Sequence, residues 1–346
     1  MAIVFDGPVT PDALTAFVRE VPTPADQVLN QILPDRVFNR NTIDFSELTR
    51  TNRTARFRAY DARLHVSERD SATTKQVKLP PLSSSLSTGE LERLQLEFAR
   101  LQGGDTSALV DQIYDDATIL TREIRARMEQ ARGDVLTDGK FTLAGEGGLT
   151  LEADYGVPAG HIVSAGTAWT TVATATVIAN ETTWVNTYVD TNGFRPGGQI
   201  VSTAVLNSML QNAEVRSLAA SLAGTPALVT RDTLNNVLAA FSLPPIVLVY
   251  DTKVDVDGVT TSVIPSNRVI FVPPNVADLG FTAWGVSATA LELVNSSQTD
   301  FSFSDAPGIV GVVEKSGPPY REFTFVDAVG MPVLANPKLL LVASVQ

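Results

Sequence analysis

The longest regular pattern in the chain is a stripe of apolar residues, Ile113, Ala117, Leu120, Ile124, Met128, Ala131 and Val135, spaced by three or four. Arg122, Glu123, Arg125, Glu129 and Arg132 occupy the other faces. This period predicts one amphipathic helix over about 106–136, about 45 Å long at 1.5 Å per residue. Such a length suits a structural beam better than an enzyme core. Upstream, Leu91, Leu94, Phe98 and Leu101 keep the same period, with Ser87 or Thr88 placed to cap a helix. Gly103-Gly104 interrupts the pattern, and Asp105 or Thr106 can restart it.

Before these helices the period shortens to two. Arg56, Arg58 and Tyr60 alternate with Phe57, Ala59 and Asp61, and Arg63, His65 and Ser67 with Leu64 and Val66. Neither face is apolar enough for a core, so residues 46–80 predict a two-stranded ribbon that needs a partner surface. Residues 1–45 are divided by Pro8, Pro11, Pro22, Pro24 and Pro34. Brief helices fit Pro11–Val18 and Pro24–Leu33, in what reads as an extended arm lying on another surface.

Beyond the beam, Asp138-Gly139 is a turn dipeptide leading to strands at Phe141–Leu143 and Leu149–Leu151. Residues 169–190 fit helix or strand equally. A strand at Gly197–Ser202, a helix begun by Ser202 and another over Thr230–Ala240 follow. The remainder predicts buried strands at Ile246–Tyr250 and Val269–Val272, with a hairpin at Asp257-Gly258 between them. Phe301–Phe303, Ile309–Val313, Glu322–Val326 and Leu339–Val342 complete a strand-rich end. The class is α+β.

Composition narrows the function. Charged residues are only 18%, below the usual quarter or so, which points to surface buried between subunits. The net charge of −12 opposes a broad grip on nucleic acid, which depends on neutralising phosphates. Without cysteine there are no disulfides, thiolate metal sites or cysteine nucleophiles. No signal-peptide pattern opens the chain, and no apolar run approaches the roughly 18 residues of a membrane span. The two histidines read as a surface strand residue, His65, and a polar loop residue, His161, so acid–base catalysis has little to work with. Gly133-x5-Gly139-Lys140 has the wrong spacing and follow-on residue for a phosphate loop, and Asp251, Asp255 and Asp257 lack the spacing of a calcium loop. No catalytic, cofactor or metal residue is expected. The basic island Arg50, Arg53, Arg56, Arg58, Arg63, Arg69, Lys75 and Lys78 is the one constellation with functional character. Set in an acidic chain, its guanidinium forks suit the carboxylates of a neighbouring copy.

Several stretches resemble one family when taken in order. They are LPPLSSSLSTGELERLQL (79–96), REIRARMEQARGDVLTDGKFTL (122–143), LEADYGVPAGH (151–161) followed by Trp169, NGFRPGGQIVSTAVLNSMLQNAEVRSL (192–218), and the strand–hairpin–strand course of 243–285. Together they resemble the lambda-type (phage capsid E) family of tailed-phage major capsid proteins, whose shell fold is Hong Kong 97-like. The resemblance implies an N-terminal arm at 1–45, an extended β-ribbon loop at 46–82, and a peripheral domain with a spine helix at 83–190. An axial domain at 191–305 and returning peripheral strands at 306–346 complete it. It implies a subunit of an icosahedral or prolate head that forms hexamers and pentamers, is assembled in the host cytoplasm and encloses double-stranded DNA without reading its sequence. The ribbon cations would then make inter-subunit contacts, and Ile113, Leu120, Ile124 and Met128 would pack the spine. About 45 residues before the ribbon are too few for a built-in scaffold, which implies a separate scaffold protein besides a portal and a decoration protein. An encapsulin-like nanocompartment shell is the alternative with the same fold.

Overall fold

The computed structural model describes residues 9–48, 72–89, 91, 94, 98, 107–146, 148–223, 229–256, 258–296, 301–317 and 321–345. Its axis is helix α2 (Ser107–Asp138), 32 residues and therefore about 48 Å long. The whole apolar stripe from Ile113 to Val135 is buried, Leu120 and Val135 completely. Ile113, Leu120, Ile124 and Met128 lie in the main core with it. Gly139, at φ +71°, ends the helix in the left-handed conformation that an L side chain resists. The interior Gly133 has a different reason: a Cβ there would run into the carbonyl of Val263.

One five-stranded sheet lies along α2. Its centre is β15 (Arg321–Leu334), which pairs antiparallel with β14 (Val310–Ser316), with β4 (Pro81–Thr88) and, at its far end, with β13 (Gly280–Trp284). β1 (Asp35–Val37) adds to β13 in parallel. The arm helix α1 (Pro11–Glu20) is capped by Thr10 and packs on β14 and α2 of its own chain. Beneath α7 (Ala288–Asn295) a small second cluster forms from Val286, Ala290, Leu293, Ala306, Val310 and Val312.

A second sheet runs β7-β16-β12-β8-β9, from β7 (Ile162–Ser164), β16 (Leu341–Ser344), β12 (Arg268–Val272), β8 (Gly198–Val201) and β9 (Ile246–Val249). All four residues of β8 are buried, whereas Val247 on the edge strand β9 is 49% exposed. Helices α3 (Val177–Asn192), α4 (Thr203–Gln211), α5 (Ala213–Ala223) and α6 (Arg231–Ala240) accompany it. Ser202 and Thr230 cap α4 and α6 through their hydroxyls. Among the described residues there are also three two-stranded ribbons: β2 (Thr42–Leu48) with β3 (Ala72–Lys78), β5 (Lys140–Glu146) with β6 (Leu149–Asp154), and β10 (Lys253–Val256) with β11 (Val259–Ser262).

Local expectations differ from the structure or are resolved by it in several places. Pro24–Leu33 makes no regular helix: a turn closed by Gln27 N–H on Pro24 O is followed by the 3₁₀ turn Leu29–Gln31, while Leu29 N–H donates to Glu129. Ser87 and Thr88 end strand β4, where β15 supplies a ladder that local propensity cannot foresee; the helix start they are expected to cap lies outside the described residues. Phe303–Asp305 is a helical turn and not strand. The ambiguous 169–190 stretch resolves in its second half to α3, with Val177, Ile178, Glu181, Trp184, Val185 and Tyr188 buried at helical spacing. Its threonines at 182, 183, 187 and 191 stay compatible with helix by donating to carbonyls four residues back.

Replacing an interior helix glycine by alanine ordinarily gains about 1 kcal/mol. Gly133→Ala is expected to lose about 1–3 kcal/mol instead, from overpacking against Val263. Urea denaturation of the two proteins measures the sign.

Candidate assembly surfaces

Glu129 is wholly buried in the middle of α2, and its carboxylate gathers four distant segments. Oε1 accepts from Leu29 N and from the Tyr250 hydroxyl, each at 2.9 Å, and Oε2 accepts from Arg132 Nη1 at 3.1 Å. Arg132, 4% exposed, donates Nε to Thr282 Oγ1 at 2.8 Å and Nη2 to Asp35 Oδ1 at 2.5 Å. Trp284 Nε1 donates to the same Asp35 oxygen at 3.0 Å. Arm, spine, β13 and the segment after β9 therefore meet at one charged, fully bonded point. Burial and the adjacent Glu129 carboxylate push the Tyr250 hydroxyl above the usual phenol range, so it remains a donor.

A second buried acid joins the helices to the second sheet. Glu181 Oε2 accepts from Gln199 Nε2 at 3.4 Å, while Glu181 Oε1 and Gln199 Oε1 both lack a donor. Burial raises the Glu181 carboxyl from 4.5 to about 8. A proton on Glu181 turns one of these buried acceptors into a donor. His161 also belongs to this core and is not a loop residue. It is 1% exposed, bonds to Leu340 O and Thr191 Oγ1 at 2.9 and 3.0 Å, and stacks on Tyr188. Burial lowers its pKa. Sequence reading missed these roles because a buried Glu or His has no local signature. The helical spacing of Glu181 with Trp184 and Tyr188 was the available signal.

The chemistry-like motifs dissolve into structure. Lys140 pairs with Glu152 and Asp154 across the β5–β6 ribbon. Asp251 accepts from the backbone of Thr203 at the start of α4, and Asp255 from Gly258 N in its turn. Among the described residues no group of three His, Cys, Asp or Glu is arranged to hold a metal, and no helix is long and apolar enough to cross a membrane.

The outward surfaces are of another kind. Arg50, Arg53, Arg56, Arg58, Arg63 and Arg69 lie outside the described residues. At the root of their ribbon β2 and β3 pair continuously from Thr42–Lys78 to Leu48–Ala72, placing Lys75 opposite Phe45, and Lys78 is exposed. Leu91, Leu94 and Phe98 have helical backbone and are 72%, 47% and 56% exposed. Val37, Ile119 and Val259 are also bare. Large apolar side chains left in water on a body whose own core is closed mark contact with other chains.

A subunit with a braced interior and, among the described residues, large apolar side chains left exposed is one built for assembly, and the comparisons state which kind. The sequence matches the family model "Phage major capsid protein E" over residues 10–300, and the chain belongs to that family. Its fold is similar to that of a putative capsid protein of a prophage of E. coli CFT073, with a TM-score of 0.59, 14% identity, and 96% of this chain and 97% of that one covered. It is similar also to a phage-related protein of Bordetella bronchiseptica RB50, with a TM-score of 0.58, 13% identity, and 99% and 98% covered. A comparison with curated proteins gives no match. The fold is the Hong Kong 97-like capsid fold, and the chain is a shell protein of a phage head.

Two outcomes are expected from the buried acids. Tyr250→Phe should cost about 1–2 kcal/mol by removing one buried bond, and Glu129→Gln about 3–5 kcal/mol by leaving Arg132 short of its partner, both read by urea denaturation. Because folding raises the Glu181 pKa, the native state binds the extra proton, and stability falls as pH rises from 4.5 to about 8. Glu181→Gln, which always carries the donor, should match wild type below that window and melt at a higher temperature above it. Parallel pH–melting curves that never diverge would sink this account.

Proposed function

We propose that this chain assembles as hexamers and pentamers into the closed head that encloses phage double-stranded DNA, acting by association and not by catalysis. The observation that carries the reading is the family match across residues 10–300. The fold likeness over nearly the whole chain supports it. In this arrangement residues 191–305 form the axial domain that meets its copies around each capsomer. Residues 83–190 and 306–346 form the peripheral domain, stiffened by α2. The arm at 1–45 and the ribbon at 46–82 reach neighbours.

The basic ribbon is the electrostatic half of that contact. Arg50, Arg53, Arg56, Arg58, Arg63, Arg69, Lys75 and Lys78 would pair with carboxylates on a neighbouring subunit, in a chain with twelve more acids than bases. The exposed Leu91, Leu94 and Phe98 would supply the apolar half. An acidic container also suits its contents, because a strongly basic wall would hold DNA too tightly for packing and release. Assembly in the host cytoplasm with a separate scaffold, and the addition of portal and decoration proteins, follow from the family resemblance. An encapsulin-like compartment would share the fold, but the match to a phage capsid family favours the head.

Electron micrographs of the expressed chain, with its scaffold, are expected to show closed shells, and only unassembled subunits would refute the reading. Arg53, Arg56 and Arg58 reversed together to Glu should abolish shells while leaving the circular dichroism spectrum of the subunit unchanged. Normal particles from that variant would remove the ribbon's role.

A further inference from the structure

A cleft of about 430 Å³ opens where the end of α1, the middle of α2, strand β1 and the loop before β14 converge. It is lined by three guanidinium groups, Arg19, Arg125 and Arg132, and by one carboxylate, Asp35. Arg132 is fully engaged by Glu129, Asp35 and Thr282. The other two are not balanced. Arg19 gives Nε to Ile309 O and Nη2 to Asp305 O and Pro307 O, at 3.1, 2.5 and 3.2 Å. Arg125 gives Nη1 to Val21 O and Thr23 Oγ1, and Nη2 to Arg19 O at 3.4 Å. These acceptors are carbonyls and a hydroxyl. Among the described residues neither guanidinium forms an ion pair with a carboxylate, and Arg19 Nη1 and Arg125 Nε have no acceptor.

Arg125 is partly buried and Arg19 stands exposed at the mouth of the cleft; desolvation lowers the pKa of both, and among the described residues neither meets a carboxylate within ion-pair distance. The charges facing them are few. Asp305 acts on Arg19 from beyond ion-pair distance, and Asp35, already shared by Arg132 and Trp284, acts on Arg125 against the opposing charge of Arg132. The rim is not wholly polar: Val37 on β1 is 67% exposed beside them. Guanidinium donors next to a bare apolar side chain fit a peptide segment bearing a carboxylate better than a phosphate backbone. The chain itself, at −12, is a rich source of such segments, and a shell brings many copies into contact.

We propose that the Arg19–Arg125 cleft is a carboxylate socket between copies of this chain, filled in the shell by an Asp or Glu of a second copy. The proposal rests on the shell reading above. The test uses Arg125→Lys, which keeps the charge and offers an amine to zero-length carbodiimide coupling. Empty, DNA-free shells are assembled from equal amounts of ¹⁴N- and ¹⁵N-labelled variant, coupled, digested and analysed by mass spectrometry. Links between the peptide carrying the new amine at position 125 and an Asp or Glu peptide of the other isotope are expected, and are expected to be absent from unassembled subunits. Links only within one chain, to Asp35 or Asp305, or none at all, would overturn the socket, including the case in which the cleft takes nucleic-acid phosphate. A companion measurement on Arg125→Gln, made at a temperature where circular dichroism shows the variant subunit fully folded, should raise the concentration needed for assembly about tenfold, the factor given by losing one charge-assisted contact. Wild-type shells with unchanged Arg125→Gln assembly would defeat the socket alone, whereas wild-type protein that never forms shells would remove both readings.

Discussion

The buried pair of Glu129 and Arg132 on α2 is the constraint on which the subunit's shape depends. Taking two charges out of water costs several kcal/mol for each ion unless nearly every lone pair and proton finds a partner. Here the partners come from four places far apart in sequence: Leu29 and Asp35 of the arm, Tyr250 after β9, and Thr282 on β13. None of these segments can shift without leaving a buried charge exposed to an apolar wall. The pair thus works as a register mark that apolar packing alone would leave loose. Gly133, next along the helix, lets the segment after β11 approach so closely that no side chain fits between.

A rigid interior has a consequence at the surface. Because arm, spine and both sheets are referred to one point, the exposed groups keep fixed positions relative to one another, as repeated contacts in a closed shell require. The interior chemistry is spent on this bracing. Lys140, Asp251, Asp255 and His161 are all engaged in local structure. Among the described residues the groups left open face outward: the apolar residues at 91, 94 and 98, the exposed Lys78 at the ribbon root, and the guanidiniums of Arg19 and Arg125, which bond carbonyls and a hydroxyl but no carboxylate. Saturation within and incompleteness without is the physical form of a protein whose activity is association.

The second acid, Glu181, shows that the bracing is not confined to one charge pair. It sits on α3 against Gln199 of β8, in a layer otherwise held by the stacked Trp169 and Trp184 and by Phe271. A carboxyl raised to about 8 remains largely protonated near neutrality and behaves there as a hydrogen-bonding core residue. Burial alone changes its chemistry.

Much of this was legible in the residues. The period of three and four from Ile113 to Val135 determined α2 and its buried face, since a helix must hide a stripe of that width. Ser202 and Thr230 determined helix starts through local hydroxyl bonds, which need no distant partner. The family resemblance arose from the order of such segments. What the tertiary structure decided were the pairings whose partners lie a hundred or more residues apart. Ser87 and Thr88 became strand because β15 lay beside them, the Leu29 N–H found its acceptor in Glu129, and Arg19 met Arg125 in a cleft. Local sequence encodes period and caps, because those are settled within a few residues. It carries no mark of which distant carbonyl, carboxylate or edge will meet a given group, and the buried hub and the basic cleft consist of such meetings.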